Sequence, residues 1–600
     1  MGSRCLLPTL PSLSTVLSSR FTALSSRCRG FPSPLPQLLS VGMASALALG
    51  CSLEAPSGEG VPEGSVRGVE AAESVEAPGA THQDLVALYH EWRAFQQPEV
   101  VGGVPDYSVE AMAEQHRRLA DYQARLAAFD TTGWSISEQI DVHVIRAEMN
   151  GLDFDHRVLQ PWARNPAFYM MIFTAQSDVP AHEGPVVHGW IDTWTYDYPL
   201  SPADAVSLAE RIGTIPALLH QARSNLVQDA RDLWRGGIRS MQGQVRDLTS
   251  FAARVEGTSA ELDSAISAAK QATEDFLAWL ERELPSKTGP SGVGVENYNW
   301  YLKNVHLVPY TWEDEMRVMR RELARSHSAL ALEEHRNRHL PPQTRIASAG
   351  EYDRLLNTAV DEYVEFLGDH EMLTVRDYMA PALRERIGGF QPVEPEDGLR
   401  GFFSEVSYRD PLTMRTHGHH WFDLAMMDAE PHPSPIRSIP LLYNIWDSRA
   451  EGVATGMEEW MMNAGLFDDS PRSRELIYIL IAQRAARAIS GLLLHSNHYT
   501  MDDAVKFAAE WTPRGYMPED SDTVWGEQYF YLQQPYYGAS YLMGKYQIEE
   551  LMAERAAGLG DEFSLKRFMD EIDASGLIPV SLIRWEMTGR DDQVRELAEG

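Results

Sequence analysis

The sequence predicts a mainly α-helical protein, because apolar residues recur at helical spacing from about residue 84 and several segments open on residues that cap helices. Ser135 with Glu138, and Thr258 with Glu261, fit the capping box, in which two side chains satisfy free backbone N–H groups at a helix start. Each pair therefore predicts the first turn of a helix.

Proline, glycine and acidic residues mark further helix boundaries. The segment 201–204 combines a serine N-cap, a first-turn proline and an early aspartate, and Thr500 with Asp503 fits a later helix start. Gly257 is expected to end one helix, as a glycine just past a helix C-terminus does. No repeat of fixed period is visible, so we expect an irregular helical array.

One short segment favours a strand instead. Phe402 to Tyr408 mixes aromatic and β-branched residues with alternating polarity, and Asp410-Pro411 closes it as a turn. Gly388 to Gly401, rich in proline and glycine, is expected to be the loop that leads into it. The sequence thus predicts a small β element next to a cleft, where it would pair with an extended peptide or simply belong to a small sheet.

Composition excludes one class of partner. The net charge of −34 argues against nucleic acid, whose phosphates require clustered Lys and Arg. The chain is 44% hydrophobic, which is typical of a folded globular protein. Its three cysteines are Cys5, Cys28 and Cys51, so any metal site beyond the N-terminal segment must use His, Asp or Glu.

The N-terminus has the order of a secretory signal. Arginines precede an apolar stretch from Leu35 to Leu49, and Gly50 stands immediately before Cys51. The run from Ala48 to Cys51 resembles a bacterial lipobox, which implies lipidation of Cys51 and a bacterial cell-envelope location. The alternatives are a transmembrane anchor, for which the apolar run is shorter than the roughly 20 residues needed, and an over-extended gene start.

These features predict three regions along the chain. Residues 1–51 form a signal peptide with its lipobox. Residues 52–80, rich in Gly, Glu, Pro, Ser and Ala and without an aromatic residue, form a disordered acidic tether. Residues 81–600 form a single large helical domain, which the tether would hold away from the membrane surface. Contact with the membrane is then expected through the lipid anchor only.

A histidine cluster is the first candidate for chemistry. His417, His419 and His420 place three imidazoles within four residues. If the segment is helical, His417 and His420 share a face, and if it is extended, His417 and His419 do, so two imidazoles converge on one ion in either case. The alternative is a hydrogen-bonded cluster with a purely structural role.

Carboxylates and further donors follow downstream. Glu451 and Glu458 lie seven residues apart, hence on one helix face, and a carboxylate from an adjacent helix is the usual third ligand of helical zinc hydrolases. His495 and Tyr541 are side chains of the type that stabilises an oxyanion in metal-assisted hydrolysis. The alternatives are a solvent-facing acidic stripe and buried rings that only pack.

The order of these motifs resembles a bacterial family catalogued as domain of unknown function 885, which is grouped by similarity with helical zincin-type metallopeptidases. Its typical runs are HExxPGHH, EGWALYAE, a later lone His in a helix and a YxxGQ-like segment. The resemblance covers residues from about 84 to 590, including helices similar to Tyr107 to Leu152 with Glu148. The matching positions are Gly418, His419 and His420; Glu451, Gly452, Ala454 and Glu458; His495; and Tyr541 and Gly544.

The chain departs from the family pattern at the first motif. Thr413 and Met414 stand where the family has its leading His and Glu, and His417 stands where it has Pro. These replacements remove a metal ligand and the expected general base, because methionine cannot accept a proton from water. Lys545 replaces the family Gln.

The resemblance implies a large helical zincin-like domain and leaves two functions open. The first is a metal-dependent envelope hydrolase of peptide or related small amide substrates, with one zinc or other divalent ion in a rearranged site held by His417, His419 and Glu451. The second is a catalytically inactive pseudo-peptidase that binds peptides or another envelope protein. The candidate residues are His417, His419, His420 and Glu451 as metal ligands, Glu458, His495 and Tyr541 in catalysis, and Cys51 for lipidation.

Overall fold

Helices make up almost all of the regular structure, which confirms the mainly α class. A computed structural model describes residues 80–182, 184–393 and 398–599. The predicted signal peptide, Cys51 and the tether up to residue 79 lie outside the described residues. The first described helix begins at His82, where Thr81 and Asp84 form a capping box.

The N-terminal part of the helical array ends before residue 388. Its helices are α1 (His82–Phe95), α2 (Val109–Ala127), α3 (Ile136–Phe154), α4 (Pro161–Arg164), α5 (Pro202–Ile212), α6 (Ile215–Asn225), α7 (Arg231–Val255), α8 (Ala260–Glu283), α9 (Val295–Tyr301), α10 (Trp312–Arg336), α11 (Ala349–Asp369) and α12 (Met379–Arg384). Single π-helical turns extend α3 and α9, at Asp155–Leu159 and Leu302–His306.

The C-terminal part carries every candidate metal ligand and catalytic residue. Its helices are α13 (Phe402–Ser407), α14 (Pro411–Thr416), α15 (His419–Ala429), α16 (Asp447–Asn463), α17 (Ser473–His495), α18 (Met501–Trp511), α19 (Asp522–Gln533), α20 (Tyr537–Leu559), α21 (Leu565–Ala574), α22 (Val580–Thr588) and α23 (Asp592–Glu599).

Strands are confined to two small pairs among the described residues. β1 (Val100–Val101) pairs antiparallel with β2 (Val104–Pro105), and β3 (Ile172–Phe173) pairs in parallel with β4 (Ile191–Asp192). None of them involves the segment 402–408 predicted to be a strand.

The strand prediction for Phe402 to Tyr408 is wrong, because this segment forms α13. Its alternating polarity also fits helical spacing, with Phe402 and Val406 buried one turn apart. Buried Glu405 accepts hydrogen bonds from Arg409, one turn further on, and from Arg345. A helix brings residues four apart onto one face, and the contact with Arg345 adds a tertiary pairing that outweighs the β propensity of the aromatic residues.

Most predicted helix starts are confirmed, and one moves by a residue. Ser135, Ser201 and Thr500 cap α3, α5 and α18. The start predicted at Thr258 is wrong by one position, because Ser259 caps α8 and accepts from the backbone N–H of Leu262. The Thr258 N–H instead bonds to the Val255 carbonyl at the end of α7, where Gly257 adopts a φ of +76°.

Helix α17 lies at the centre of the C-terminal part. It packs against α10, α18, α19 and α20, and nearly all of its residues are buried. Among the described helices it alone is long and apolar enough to cross a membrane, yet 89% of its apolar window is buried inside the protein. Burial on all sides explains its apolar composition, because a helix that is hydrophobic all round belongs in a core.

Candidate metal centre

Two glycines bring the helices of the site together. At the crossing of α16 and α20, a Cβ on Gly452 would lie 2.5 Å from the backbone carbonyl carbon of Gly544. A Cβ on Gly544 would lie 2.0 Å from the Ser448 carbonyl oxygen. The two backbones therefore approach at a distance that only glycine allows. This approach sets Glu451 on α16 beside Tyr537 at the start of α20, whose hydroxyl donates to Glu451 Oε1 at 2.6 Å.

A break between α14 and α15 positions two of the three clustered histidines. α14 ends at Thr416, and α15 begins at His419. The rings of His417 and His420 lie 5.0 Å apart, centroid to centroid. His420 Nε2 is 3.2 Å from Glu451 Oε2.

These two histidines meet Glu451 at one point. One ligand-type atom from each of His417, His420 and Glu451 lies within 4.8 Å of the others, and we name this trio the His₂Glu cluster. His420 and Glu451 are buried, whereas the His417 side chain is 16% exposed. Solvent therefore reaches the cluster from the His417 side.

The third histidine belongs to a separate cluster. His419 Nε2 lies 3.7 Å from Asp423 Oδ1 and 3.5 Å from Asp573 Oδ1, and we name these three residues the His-Asp₂ cluster. Arg449 donates to both Asp423 carboxylate oxygens at 2.9 Å and to Asp573 at 2.9 Å. The predicted grouping of His417, His419 and Glu451 around one point is therefore wrong. On a helical turn, adjacent residues point to different sides, so His420 replaces His419 in the trio.

Burial and pairing set the charge of the His₂Glu cluster. Burial would lower the pKa of His420, but the Glu451 carboxylate outweighs it and raises the pKa to about 9. Burial would likewise raise the pKa of Glu451, but His420, His417 and the Tyr537 hydroxyl together lower it to about 2. Without a metal, His420 and Glu451 thus form a buried ion pair at neutral pH.

Glu458 is a neighbour of the cluster. It lies two turns after Glu451 on α16 and forms a bidentate pair with Arg484 of α17, with both N–O distances at 2.7 Å. Glu458 Oε1 is also 3.2 Å from His417 Nδ1, and Arg484 Nη2 is 3.3 Å from the same atom. Although burial opposes ionisation, Arg484 and His417 lower the pKa of Glu458. Glu458 and Arg484 therefore hold the His417 ring at its Nδ1 side.

The remaining predicted residues lie in different surroundings. Tyr541 is partly exposed, and its ring centroid is 5.9 Å from that of Tyr537. His495 ends α17, roughly 16 Å along the helix from Arg484 at about 1.5 Å per residue, and is not part of the His₂Glu cluster. His495 Nε2 lies 2.9 Å from the Tyr531 carbonyl oxygen, and burial lowers the pKa of His495 to about 4.

Three residues of the site were missed by sequence reasoning. Arg484 and Arg487 are buried on α17, and Tyr537 holds Glu451. Two arginines three residues apart in a mostly apolar stretch of the chain are a signal in themselves, since a guanidinium is rarely buried without a partner. Tyr537 carries no comparable signal, because its position depends on the Gly452–Gly544 crossing.

The donor set of the His₂Glu cluster fits a divalent ion. Two imidazoles and one carboxylate are the ligands of many catalytic zinc sites. The 3.2 Å between His420 Nε2 and Glu451 Oε2 is close to the roughly 3.3 Å that separates two ligands of a tetrahedral zinc ion. A carboxylate that binds the second nitrogen of a metal-bound histidine is the usual outer partner, and Glu458 Oε1, 3.2 Å from His417 Nδ1, would serve as one for a metal bound at Nε2.

Comparison with known proteins assigns the chain to a family. Residues 97–387 and 417–587 match the family described as "Bacterial protein of unknown function (DUF885)". The chain belongs to this family. The stretch 388–416 between the two matched parts holds α13 and α14, including Thr413 and Met414, and the match resumes at His417. The family pattern thus breaks where the chain lacks the leading His and Glu.

Two solved structures share the fold. One is described as a "putative lipoprotein of unknown function" from Shewanella oneidensis, with 17% identity, a TM-score of 0.61, and coverage of 84% of this chain and 97% of that chain. The other is a "putative lipoprotein" from Colwellia psychrerythraea, with 15% identity, a TM-score of 0.57, and coverage of 86% and 99%. No curated protein matches the chain.

Proposed function

We propose that this protein is a metal-dependent hydrolase of peptide or related amide bonds, with one zinc or other divalent ion held by His417, His420 and Glu451. The observation that carries the proposal is the convergence of these three ligand atoms within 4.8 Å in a largely buried site. The lipobox at Cys51 and the description of the two similar structures support an envelope lipoprotein.

The surrounding side chains support this assignment by their contacts. Tyr537 binds Glu451 Oε1 and so leaves Oε2 directed at His420. Glu458 is a positioning residue for His417, because a carboxylate locked to Arg484 with a lowered pKa is a poor proton acceptor. When bound, a divalent ion supplies a Lewis acid and lowers the pKa of a coordinated water.

Two of the residues predicted to act in catalysis take different roles. Tyr541 lies beside Tyr537 with its ring partly exposed, so it is the donor that we assign to an oxyanion at the cluster. His495 faces the Tyr531 carbonyl oxygen and is assigned the role of positioning that backbone.

A non-catalytic binding protein is the second candidate. Met414 stands where the family general base is expected, and Glu458, a further carboxylate beside the cluster, is paired with Arg484. These two observations favour a pseudo-peptidase that uses the same site to bind peptides or another envelope protein.

Peptide hydrolysis distinguishes the two candidates. We expect the soluble domain, beginning near Thr81, to cleave members of a quenched peptide library, to stop when a chelator is added and to recover with zinc. The His420→Asn variant should be inactive, whereas His419→Asn, altered at the neighbouring His-Asp₂ cluster, should keep turnover. Absence of cleavage with zinc present, or equal activity in His420→Asn, would exclude the hydrolase and leave the binding protein.

A further inference from the structure

Arg487 has an unused hydrogen-bonding edge. It lies on α17, one turn after Arg484, and is 1% exposed. Its Nη1 pairs with Glu527, but among the described residues Nε and Nη2 have no hydrogen-bond partner. These two nitrogens form one edge of the guanidinium, and their N–H groups point in parallel, as bidentate binding of a carboxylate requires. An unpaired guanidinium edge is costly inside a protein.

Aromatic rings hold this guanidinium beside the candidate metal centre. Its central carbon lies 5.4 Å from the Tyr531 ring centroid, 5.4 Å from that of Tyr541 and 5.7 Å from that of Phe403. Phe403 comes from α13, in the stretch where this chain does not match its family. Contacts between a guanidinium and aromatic rings orient an arginine without satisfying its N–H groups.

Two other buried arginines of the site region, Arg484 and Arg449, are paired with carboxylates. Arg484 faces both oxygens of Glu458, and Arg449 bridges Asp423 and Asp573. Despite burial, these two aspartates raise the pKa of Arg449, whereas burial lowers the pKa of Arg487. Arg487 therefore carries a buried positive charge with less compensation than its neighbours.

We propose that Arg487 binds a carboxylate of the substrate, so that the protein acts on peptides with a free C-terminus or an acidic side chain near the cleaved bond. This inference rests on the proposed function, because only a hydrolase would treat the bound peptide as a substrate. The binding of the carboxylate can be measured without turnover. Tyr541 connects the two places, since its ring is 5.4 Å from Arg487 and 5.9 Å from the ring of Tyr537, which binds Glu451.

Binding of three matched peptide sets tests the proposal. The sets share one sequence and carry a C-terminal carboxylate, a C-terminal amide, or an amide with an internal glutamate. Calorimetry on the zinc-treated soluble domain should give about ten- to a hundredfold tighter binding for one of the two carboxylate sets than for the plain amide. Which of the two binds tighter identifies the source of the carboxylate.

Two variants connect this preference to Arg487. Arg487→Lys loses the bidentate edge and should reduce the preference to about threefold or less, with metal content unchanged. Arg474→Lys, on the same helix and paired with Glu333, is the control that should retain it. Glu527→Gln frees the guanidinium of its partner, so carboxylate peptides should bind a few-fold tighter and the amide set unchanged. Glu527 is 21% exposed, so this variant should fold even if Arg487→Lys does not.

The results separate this proposal from the hydrolase assignment. A carboxylate preference that is lost in Arg487→Lys or increased in Glu527→Gln supports the subsite even if no peptide is cleaved. Equal binding of all three sets, no binding of any set, or a preference that neither variant changes would overturn it. Cleavage of amide peptides with equal affinity would overturn the subsite and leave the hydrolase intact.

Discussion

The His₂Glu and His-Asp₂ clusters contain similar ligand-type side chains, but the positive charge that faces their carboxylates differs. In the His-Asp₂ cluster, the Arg449 guanidinium bonds to both Asp423 and Asp573 at 2.9 Å. In the His₂Glu cluster, the partner of Glu451 is His420, which can exchange its proton for a metal ion. A permanent guanidinium cannot be exchanged in this way, because Arg stays protonated. Ligand spacing alone therefore does not define a metal site. A metal ion can bind only where the positive charge already present, such as the proton on His420, can be replaced.

Removing the guanidinium should produce the largest effect. Arg449→Met leaves Asp423 and Asp573 buried without a countercharge, so we expect a loss of about 3–5 kcal/mol in the free energy of unfolding, measured in urea. The control Arg595→Met, on a side chain that is 65% exposed, should change little. In the presence of zinc, Arg449→Met should bind about two ions per chain. A variant as stable as wild type would refute the view that Arg449 neutralises this cluster.

The pH dependence of stability should distinguish His495, which lies next to a carbonyl oxygen, from His420, which is paired with a carboxylate. His495 Nε2 lies against the Tyr531 carbonyl oxygen, and burial lowers the pKa of His495 to about 4. Below pH 6.5 the unfolded chain takes up a proton that folded His495 refuses, so stability falls by about 1.4 kcal/mol per pH unit until about pH 4. His495→Asn should remove this part of the slope. Parallel stability–pH curves for the variant and wild type would contradict it.

The crossing of α16 and α20 should affect the geometry of the His₂Glu cluster more than that of the His-Asp₂ cluster. Gly544→Ala forces α20 away from Ser448, and we expect a loss of about 1–3 kcal/mol in unfolding free energy together with weaker zinc binding. Gly526→Ala on α19, where a Cβ meets nothing within 4 Å, should leave zinc binding unchanged and stability equal or higher. Unchanged zinc affinity in Gly544→Ala would show that the crossing does not position Glu451.

Local signals predicted much of the fold, and long-range contacts decided the rest. Caps at Ser135, Ser201 and Thr500 follow from neighbouring residues and were confirmed. The segment 402–408 was assigned wrongly because Glu405 reaches Arg345, far away in the sequence. A helix forms where such a pairing is available, and local alternation does not reveal it.

The candidate site was predicted by residue type better than by grouping. Sequence spacing allowed His417 to pair with His419 or with His420, and only the break between α14 and α15 selects His420. The sequence also does not predict that Glu458 pairs with Arg484, because Arg484 lies on another helix. The family motif carries Gly452 and Gly544, and their crossing explains why these glycines accompany Glu451 and Tyr541.

Metal content tests the central claim most directly. The soluble domain beginning near Thr81, purified without a histidine tag and incubated with zinc, would be freed of loose metal and measured by mass spectrometry. We predict about one zinc ion per chain in wild type and in His419→Asn, and almost none in Glu451→Gln. A wild-type protein without zinc, or one whose zinc is lost in His419→Asn and kept in Glu451→Gln, would contradict the assignment of the His₂Glu cluster.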